Sequence, residues 1–217
     1  MIEVVGMVYK SRTFLDFLRD QGECDRIVGN DPSEEILSDE QFLDLGDIYH
    51  DSNPTDHYLT RVYRCWNYCV ESSSAEYVCL VNSDMAFSPG WLEALERRLD
   101  GRTLPVSRLV EPGFIKPGQH AIEIDLGRDP RSFPMASWHS LAADLSENES
   151  HPEGLFMPCV LHRETFLRVG GYPEGNVNGR SGDAILFEKM AATGFHHVTC
   201  FDSLVYHMQE GEMRHIE

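Results

Sequence analysis

The sequence predicts an α/β fold, and three stretches support that prediction. Residues 77–81 (YVCLV) form a short continuous apolar run, which is typical of a strand covered on both faces in the middle of a parallel sheet. Residues 58–72 place apolar side chains at helical spacing, so an amphipathic helix leads into that strand. Residues 3–9 (EVVGMVY) have the composition of an opening strand, and Ser11 follows as the N-cap of a helix. Strands and helices that alternate in this way indicate an α/β domain.

The remaining elements follow from the same kinds of signal. We expect strands at residues 25–30, 104–112, 155–161, 196–201 and 204–207, and helices starting at Ser88-Pro89, residue 162 and residue 184. Residues 113–154 carry many Gly, Pro, Ser and charged residues between short apolar pieces, so they predict a long loop. A loop of this length in a compact domain is often functional.

Composition and charge limit the classes of function. The 217 residues are enough to bury a sizeable core, and the hydrophobic content of 41% is ordinary for a globular protein. The formal net charge of -18 repels phosphate backbones and anionic lipids, so we expect no nucleic-acid or membrane-surface binding. A nucleotide remains compatible with this charge, because a metal ion and one or two arginines can hold a small diphosphate locally.

No apolar run approaches the roughly 18 residues that a membrane span needs, and strand-like sequence begins directly after Met1 without a signal peptide. We therefore expect a cytoplasmic protein. The six cysteines are scattered, mostly in apolar surroundings, and contain no C-x-x-C pair. This pattern predicts reduced core thiols rather than disulfides or zinc ligands. The G-x-G-x-x-G and G-x-x-x-x-G-K motifs are also absent from the opening strand and helix.

Three polar residues stand where predicted elements begin or end. Asp84 follows the central strand, and ligands of open α/β sheets bind at the carboxyl ends of the strands. Asp183 lies at the start of a predicted helix, where simple capping also favours an acid. His207 ends the last predicted strand, a position at which a histidine is often only structural.

The ordered set of segments resembles the family 2 glycosyltransferases with the GT-A fold. Residues 82–91 (NSDMAFSPGW) are similar to the family's Asp-x-Asp-like metal motif and the helix start after it. Residues 162–175 (HRETFLRVGGYPEG) resemble its R-x-x-F-x-x-V-G-G-F/Y segment, and residues 203–207 (SLVYH) its late V-x-H. The resemblance covers roughly residues 3–208. It implies one GT-A-like domain over residues 1–217, with a mostly parallel central sheet flanked by helices.

The resemblance also implies a division of labour along the chain. Residues 1–103 would bind a nucleoside diphosphate sugar, with a UDP-sugar as the expected donor, and residues 104–217 would bind an acceptor. Asp84 and His207 would hold a divalent cation, Mn²⁺ or Mg²⁺. Asp183 would be the general base of an inverting transfer, with Gly182 where the family has Glu. The implied nucleotide-binding residues are Tyr9, Asp31, Arg61, Asn82, Ser83 and Asp84.

Several of these assignments have a plain structural alternative. Asp31 before Pro32 also fits an Asx-type turn, and Arg61 also fits a solvated helix charge. Trp138 and His139, in the long loop, are the residues that we expect to contact the acceptor, although a small core beneath the loop accounts for them somewhat better. The acceptor class (saccharide, lipid-linked or protein) and the oligomeric state are left open.

Other functions also fit parts of the pattern. A sugar-nucleotide nucleotidylyltransferase has a related fold, but that class carries a glycine-rich N-terminal loop with Arg and Lys, which GMVYKSRTF lacks. A nucleotide-sugar-binding module of weak or no activity is the second alternative, favoured by the single acid of the metal motif and by Gly182. A retaining transferase of the same fold is the third. Loss of nucleotide-sugar hydrolysis on substitution of Asp84 and Asp183 would separate an enzyme from a binding module, and product stereochemistry would separate inverting from retaining transfer.

Overall fold

A ten-stranded sheet organises the chain in a computed structural model, which describes residues 1–9, 11–31, 45, 47–51, 53 and 56–209. The strands are β1 (Ile2–Val8), β2 (Arg26–Asp31), β3 (Ile48–His50), β4 (Tyr77–Asn82), β5 (Met85–Phe87), β6 (Thr103–Glu111), β7 (Ile122–Glu123), β8 (Ser150–Pro152), β9 (Cys159–His162) and β10 (His196–His207). The described helices are α1 (Arg12–Gln21), α2 (Tyr58–Glu71), α3 (Trp91–Glu96), α4 (Met135–Leu145), α5 (Arg163–Arg168) and α6 (Gly182–Ala191), with a 3₁₀ turn at Pro130–Ser132.

The strand order is β3-β2-β1-β4-β9-β6-β10-β5, with β7 beside β6 and β8 beside β10. Within the described residues, β1 pairs in parallel with β2 and β4, β2 with β3, and β6 with β7 and β10. Strand β9 is antiparallel to β4 and β6, and β5 and β8 are antiparallel to β10. The predicted α/β fold is confirmed, with antiparallel pairs added. The carboxyl ends of β1, β2, β4, β6 and β10 consequently lie along one edge of the sheet.

Among the described residues, two large clusters of buried side chains and a small one around Val8 and Leu15 hold helices against the sheet. The main core surrounds β4, where Val78 and Cys79 are fully buried, and α2 contributes Cys65 and Cys69 to it. The second core packs α1 and α4 on the sheet, with Trp138 of α4 against Tyr206 of β10 at a ring separation of 5.8 Å. Burial of a large side chain of this kind contributes about 1.5–3 kcal/mol. Helix α4 is therefore an integral part of the core.

The structure corrects the sequence analysis in three segments. The region 113–154 is not one long loop, because it contains β7, α4 and β8. The helix expected at Ser88 begins at Trp91 after Gly90, whose φ of 78° is left-handed and which provides no side-chain cap. An additional strand, β5, lies between Asp84 and that helix. A three-residue strand between two turns is too short to show an alternating pattern.

The two expected strands at the end of the chain are one strand, β10. Its pairing with β6 shifts between Cys200 and Leu204, so residues 201–203 lie opposite the single step from Ser107 to Arg108. Ser203 is fully buried in the shift, where its hydroxyl donates to the carbonyl oxygen of Trp91 at 2.8 Å. The buried hydrogen bond explains why a polar stretch inside the strand does not end it.

All six cysteines are free thiols, and five of them are buried. Among the residues that the structure describes, no helix is both long and apolar enough to cross a membrane.

Candidate active site

Asp84 and His207 meet at the carboxyl edge of the sheet. After β4 the chain turns back through Ser83 and Asp84 into β5, which pairs antiparallel with the end of β10, so that Met85 lies opposite His207. This turn places Oδ2 of Asp84 at 3.4 Å from Nε2 of His207. The backbone N–H of Met208 donates to the carbonyl oxygen of Asp84 at 3.0 Å, which fixes the two segments together. The sequence predicted both residues, and the structure brings them into contact.

A second carboxylate, Glu111, lies on the other side of the same imidazole. It ends β6, the strand beside β10, and is 5% exposed. Its Oε1 is 2.9 Å from Nδ1 of His207. Burial acts to lower the pKa of His207, but Asp84 and Glu111 outweigh it and raise this pKa to about 10. Without a bound cation, His207 is therefore an imidazolium between two carboxylates at neutral pH.

The donor atoms of Asp84 and His207 suit a divalent cation. Ligands that hold Mg²⁺ at about 2.0–2.1 Å in adjacent octahedral positions lie roughly 3 Å apart, close to the 3.4 Å found here. One carboxylate and one imidazole also suit Mn²⁺. Among the described residues no group of three or more His, Cys, Asp or Glu is arranged to hold a metal ion. The pair thus suits a cation that takes its other ligands from phosphate oxygens and water.

Asp183 lies in the first turn of α6, whose N-cap is Ser181. Burial raises the pKa of Asp183 above its ordinary value, although a hydrogen bond from Tyr63 opposes part of this shift. The Tyr63 hydroxyl donates to Oδ2 of Asp183 at 2.9 Å. Burial and the contact with Asp183 together raise the pKa of Tyr63. The helix start therefore holds a half-buried carboxylate with one oxygen fixed by Tyr63.

The ring of Tyr63 explains the glycine that precedes Asp183. A Cβ at Gly182 would lie 2.4 Å from Cε2 of Tyr63, so no other residue fits there without displacing the ring. The ring stacks on Tyr172 with centroids 5.0 Å apart and planes 5° apart. Tyr63 thus occupies the space that a side chain at position 182 would need. Sequence analysis missed Tyr63, because its spacing marks it only as part of a helix.

Tyr9 and Arg61, two predicted nucleotide-binding residues, also come together. The guanidinium carbon of Arg61 lies 5.2 Å from the centre of the Tyr9 ring, and Tyr9 packs edge-on against Tyr58 at 5.1 Å. The start of α2 is therefore close to the carboxyl end of β1, and Tyr63, which contacts Asp183, is two residues after Arg61 on the same helix. The side chain of Asp31 lies outside the described residues.

Two amide oxygens at this edge have no hydrogen-bond partner within the part of the chain that the structure describes. Asn82 ends β4 and Asn30 lies near the end of β2, with β1 between them, and Oδ1 of each side chain is buried. Asn30 is fully buried, and its amide nitrogen contacts the carbonyl oxygen of Arg61 at 3.5 Å. A buried acceptor without a donor is costly, and such groups are uncommon in folded proteins. Asn82 was predicted as a nucleotide-binding residue; Asn30 was not, because it looks like a strand residue in the sequence.

Trp138 and His139, the two residues expected to contact the acceptor, differ in their exposure. Trp138 is fully buried against Tyr206, so it is a core side chain and presents no surface to a ligand. His139 lines a cavity of about 420 Å³ between α1 and α4, together with apolar side chains such as Phe17 and Phe87 and the acids Asp20 and Glu23. Adjacent residues on a helix point in different directions, which explains the difference. The expectation for Trp138 is wrong in this structure, and that for His139 stays a prediction.

The solved structures with a similar fold include the following two. The crystal structure of GalNAc-T7 with UDP, GalNAc and Mn²⁺ is 12% identical, covers 95% of this chain and matches it with a TM-score of 0.60. The crystal structure of S. aureus TarS 1-349 is 10% identical, covers 99% of this chain and matches it with a TM-score of 0.55. Both proteins are glycosyltransferases. The chain has a GT-A-like fold.

This GT-A-like chain spans 43% of the GalNAc-T7 chain and 62% of the TarS chain. No protein-family model and no curated protein matches its sequence. At 10–12% identity the likeness establishes the fold, and the activity has to be argued from the residues at the site.

Proposed function

We propose that this protein is a glycosyltransferase that moves a sugar from a nucleoside diphosphate donor to an acceptor hydroxyl with inversion at the anomeric carbon. The observation that carries the proposal is the Asp84–His207 pair at the carboxyl edge of a GT-A-like sheet. A structure of the same fold contains UDP and Mn²⁺, which favours UDP as the nucleotide and Mn²⁺ or Mg²⁺ as the cation. The predicted halves, 1–103 for the donor and 104–217 for the acceptor, are part of this proposal.

Each part of the transfer has a candidate residue. Arg61, beside Tyr9, contributes positive charge for the diphosphate. Asn82, which is partly exposed at the end of β4, is the candidate contact for the base or the ribose. Asp84 and His207 would hold the cation, which would offset the negative charge that develops on the leaving diphosphate.

Asp183 is the proposed general base. Its carboxylate takes the proton of the acceptor hydroxyl while the acceptor oxygen bonds to the anomeric carbon. The bond from that carbon to the diphosphate oxygen breaks, and its electron pair leaves with the nucleoside diphosphate. The raised pKa of Asp183 brings it nearer to the working pH, which is where a base is most effective.

Thermal unfolding with UDP tests the donor half of the proposal. We expect UDP to raise the melting temperature only with Mn²⁺ or Mg²⁺ present, by roughly 5–10 °C at a ligand concentration of 100 times Kd. Asp84→Ala should abolish this shift, whereas the same change at exposed Asp144 should leave it intact. No response of the wild type to any nucleoside diphosphate would contradict the proposal.

Hydrolysis of UDP-sugars and transfer to an acceptor test the chemistry. Asp183→Asn should keep the metal-dependent UDP shift but lower kcat by about 10²–10⁴-fold, the usual contribution of a general base. An active Asp183→Asn variant would remove the assigned base. Product stereochemistry decides between inverting and retaining transfer.

A further inference from the structure

We infer that Glu111 is a positioning residue that fixes the His207 ring, so that Nε2 is the nitrogen available to the cation. The inference rests on the proposed function, because it concerns the same cation. It goes beyond that function by assigning a role to a residue that neither the sequence pattern nor the likeness to known proteins indicates.

The first argument is the placement of the Glu111 carboxylate. Glu111 lies at the last position of β6, between β7, where it is paired with Glu123, and β10. Its side chain is 7% exposed, and it contacts Nδ1 of His207 at 2.9 Å. A carboxylate is rarely buried without a charged or hydrogen-bonded partner, because desolvation of the charge is costly. The contact with His207 is therefore the feature that accounts for an acid at this buried position.

The second argument is the geometry of the ring. An ionised carboxylate only accepts hydrogen bonds, so Nδ1 of His207 must carry a proton to bond Glu111. A cation bound at Nε2 would replace the proton on that nitrogen, and the neutral imidazole that then donates through Nδ1 has its lone pair on Nε2. Nε2 is the nitrogen that lies 3.4 Å from Oδ2 of Asp84. Glu111 thus selects both the tautomer and the orientation that place two ligand atoms side by side.

The third argument separates positioning from direct coordination. Glu111 contacts the nitrogen that faces away from Asp84, so one cation between Asp84 and Nε2 has the imidazole ring between itself and Glu111. Within the described part of the chain, no set of three acidic, histidine or cysteine side chains is arranged around one metal position. A carboxylate that holds the far nitrogen of a metal-binding histidine typically changes metal affinity 10–100-fold.

Titration of Mn²⁺ in the presence of UDP tests the inference without any turnover. Binding is measured as the loss of the EPR signal of free Mn²⁺. Glu111→Met removes the acceptor at similar volume and should weaken Mn²⁺ binding by about 10–100-fold. Glu111→Gln retains an oxygen that accepts from Nδ1–H, so its affinity should stay within a few-fold of the wild type. Glu123→Gln makes the same charge change at the exposed neighbouring position and serves as the control.

Two outcomes would overturn the inference. Glu111→Met with wild-type affinity would show that the ring needs no support, and a Gln variant as weak as the Met variant would make Glu111 a ligand or a required charge. Proton NMR of ¹⁵N-histidine-labelled protein without metal provides the independent measurement. The Nδ1–H of His207 should be protected from exchange with water in the wild type and should lose this protection in Glu111→Met; equal protection in both would also overturn the inference.

The two measurements also separate this inference from the proposed function. Wild-type protein that binds no Mn²⁺ with UDP would overturn the proposed function. If the Nδ1–H of His207 is nevertheless protected from exchange in that protein, Glu111 is still supported as the residue that orients His207. If this N–H is not protected, the role of Glu111 is overturned together with the proposed function.

Discussion

The partial burial of Asp183, the proposed base, lowers the free energy of unfolding when its carboxylate is ionised. Burial raises its pKa in the folded protein, whereas the unfolded chain has the ordinary value near 3.9. The folded state therefore binds the proton more tightly. The resulting stabilisation is fully present below the unfolded-state pKa and is lost as the pH rises through the folded-state pKa. Ionisation of Asp183 above its folded-state pKa thus costs the fold the desolvation of a charge.

Asp183→Asn should consequently stabilise the protein at neutral pH. Asparagine retains an oxygen that accepts from Tyr63 and carries no charge to desolvate. The difference in melting temperature between variant and wild type should be small near pH 4 and grow toward pH 7, with each kcal/mol appearing as about 2–4 °C in a chain of this size. Differential scanning calorimetry at several pH values measures this difference.

The control for this prediction is Asp144→Asn, which makes the same change on the exposed surface of α4. Its effect should not grow between pH 4 and pH 7. A variant at Asp183 that is less stable than the wild type at neutral pH would show that the ionised carboxylate is stabilising and would contradict the pKa direction.

At the scale of residues, the sequence predicted those side chains whose position in an element is distinctive. Asp84 follows an apolar run, and His207 ends one, so the pattern of the chain is enough to locate both. Glu111 and Tyr63 could not be located in this way, because each acquires its role from a partner distant in the chain, His207 at 96 positions and Asp183 at 120. Local pattern contains no information about such contacts.

At the scale of elements, Asn67 joins α2 to the segment that follows α5. Its amide nitrogen donates to the carbonyl oxygen of Tyr172 at 3.0 Å, and its amide oxygen accepts from the N–H of Tyr172 at 2.8 Å. The backbone approaches so closely that a Cβ at Gly171 would lie 2.5 Å from Oδ1 of Asn67, and Gly171 has a left-handed φ of 58°. This connection holds Tyr172 against Tyr63, and thereby supports the contact to Asp183.

Asn67→Ala should lower the free energy of unfolding by about 2–4 kcal/mol, because it leaves the N–H and the carbonyl group of Tyr172 without partners. Asn67→Asp keeps the acceptor and loses the donor, so its effect should be intermediate. Urea unfolding monitored by fluorescence measures both. A change below about 0.5 kcal/mol for Asn67→Ala would mean that water replaces the amide at no cost.

Elements with strong local signals were predicted, and those without them were not. The N-cap at Ser11 appears where the sequence indicated it. Helix α4 was missed, because surrounding proline, glycine and serine residues concealed its short apolar stripe. The helix start assigned to Ser88-Pro89 was wrong, since residues 88–90 form a turn and the helix begins at Trp91.

At the scale of the whole molecule, the net charge of -18 governs the response to salt. Like charges repel more strongly in the compact state than in the unfolded chain. Screening shortens from about 30 Å at 0.01 M to about 8 Å at 0.15 M ionic strength. The melting temperature should therefore rise over this range of NaCl concentration.

Calorimetry in NaCl and in KCl measures the salt effect, and the two salts should agree because screening depends on ionic strength. A melting temperature that falls with added salt would show that attractive ion pairs outweigh the repulsion. The same charge leads us to expect no binding of nucleic acid, which fluorescence anisotropy with a labelled oligonucleotide would test at both salt concentrations.

The α/β architecture was the most predictable feature of the molecule, because apolar runs and helical stripes alternate along nearly the whole chain. The antiparallel insertion of β9 between β4 and β6 was not predictable, since a strand's own sequence does not record its direction relative to its neighbours.

The pairing shift in β10 limits which insertions and deletions the chain can tolerate at residues 201–203. Side chains of a strand alternate between the faces of a sheet, so the three residues at 201–203 determine which face Leu204 to His207 present. Deletion of one codon there would turn the imidazole to the opposite side and detach it from both carboxylates. Insertions and deletions among natural relatives should therefore be rare at residues 201–203. Any that occur should change the length by an even number of residues, because this keeps His207 on the same face of the sheet.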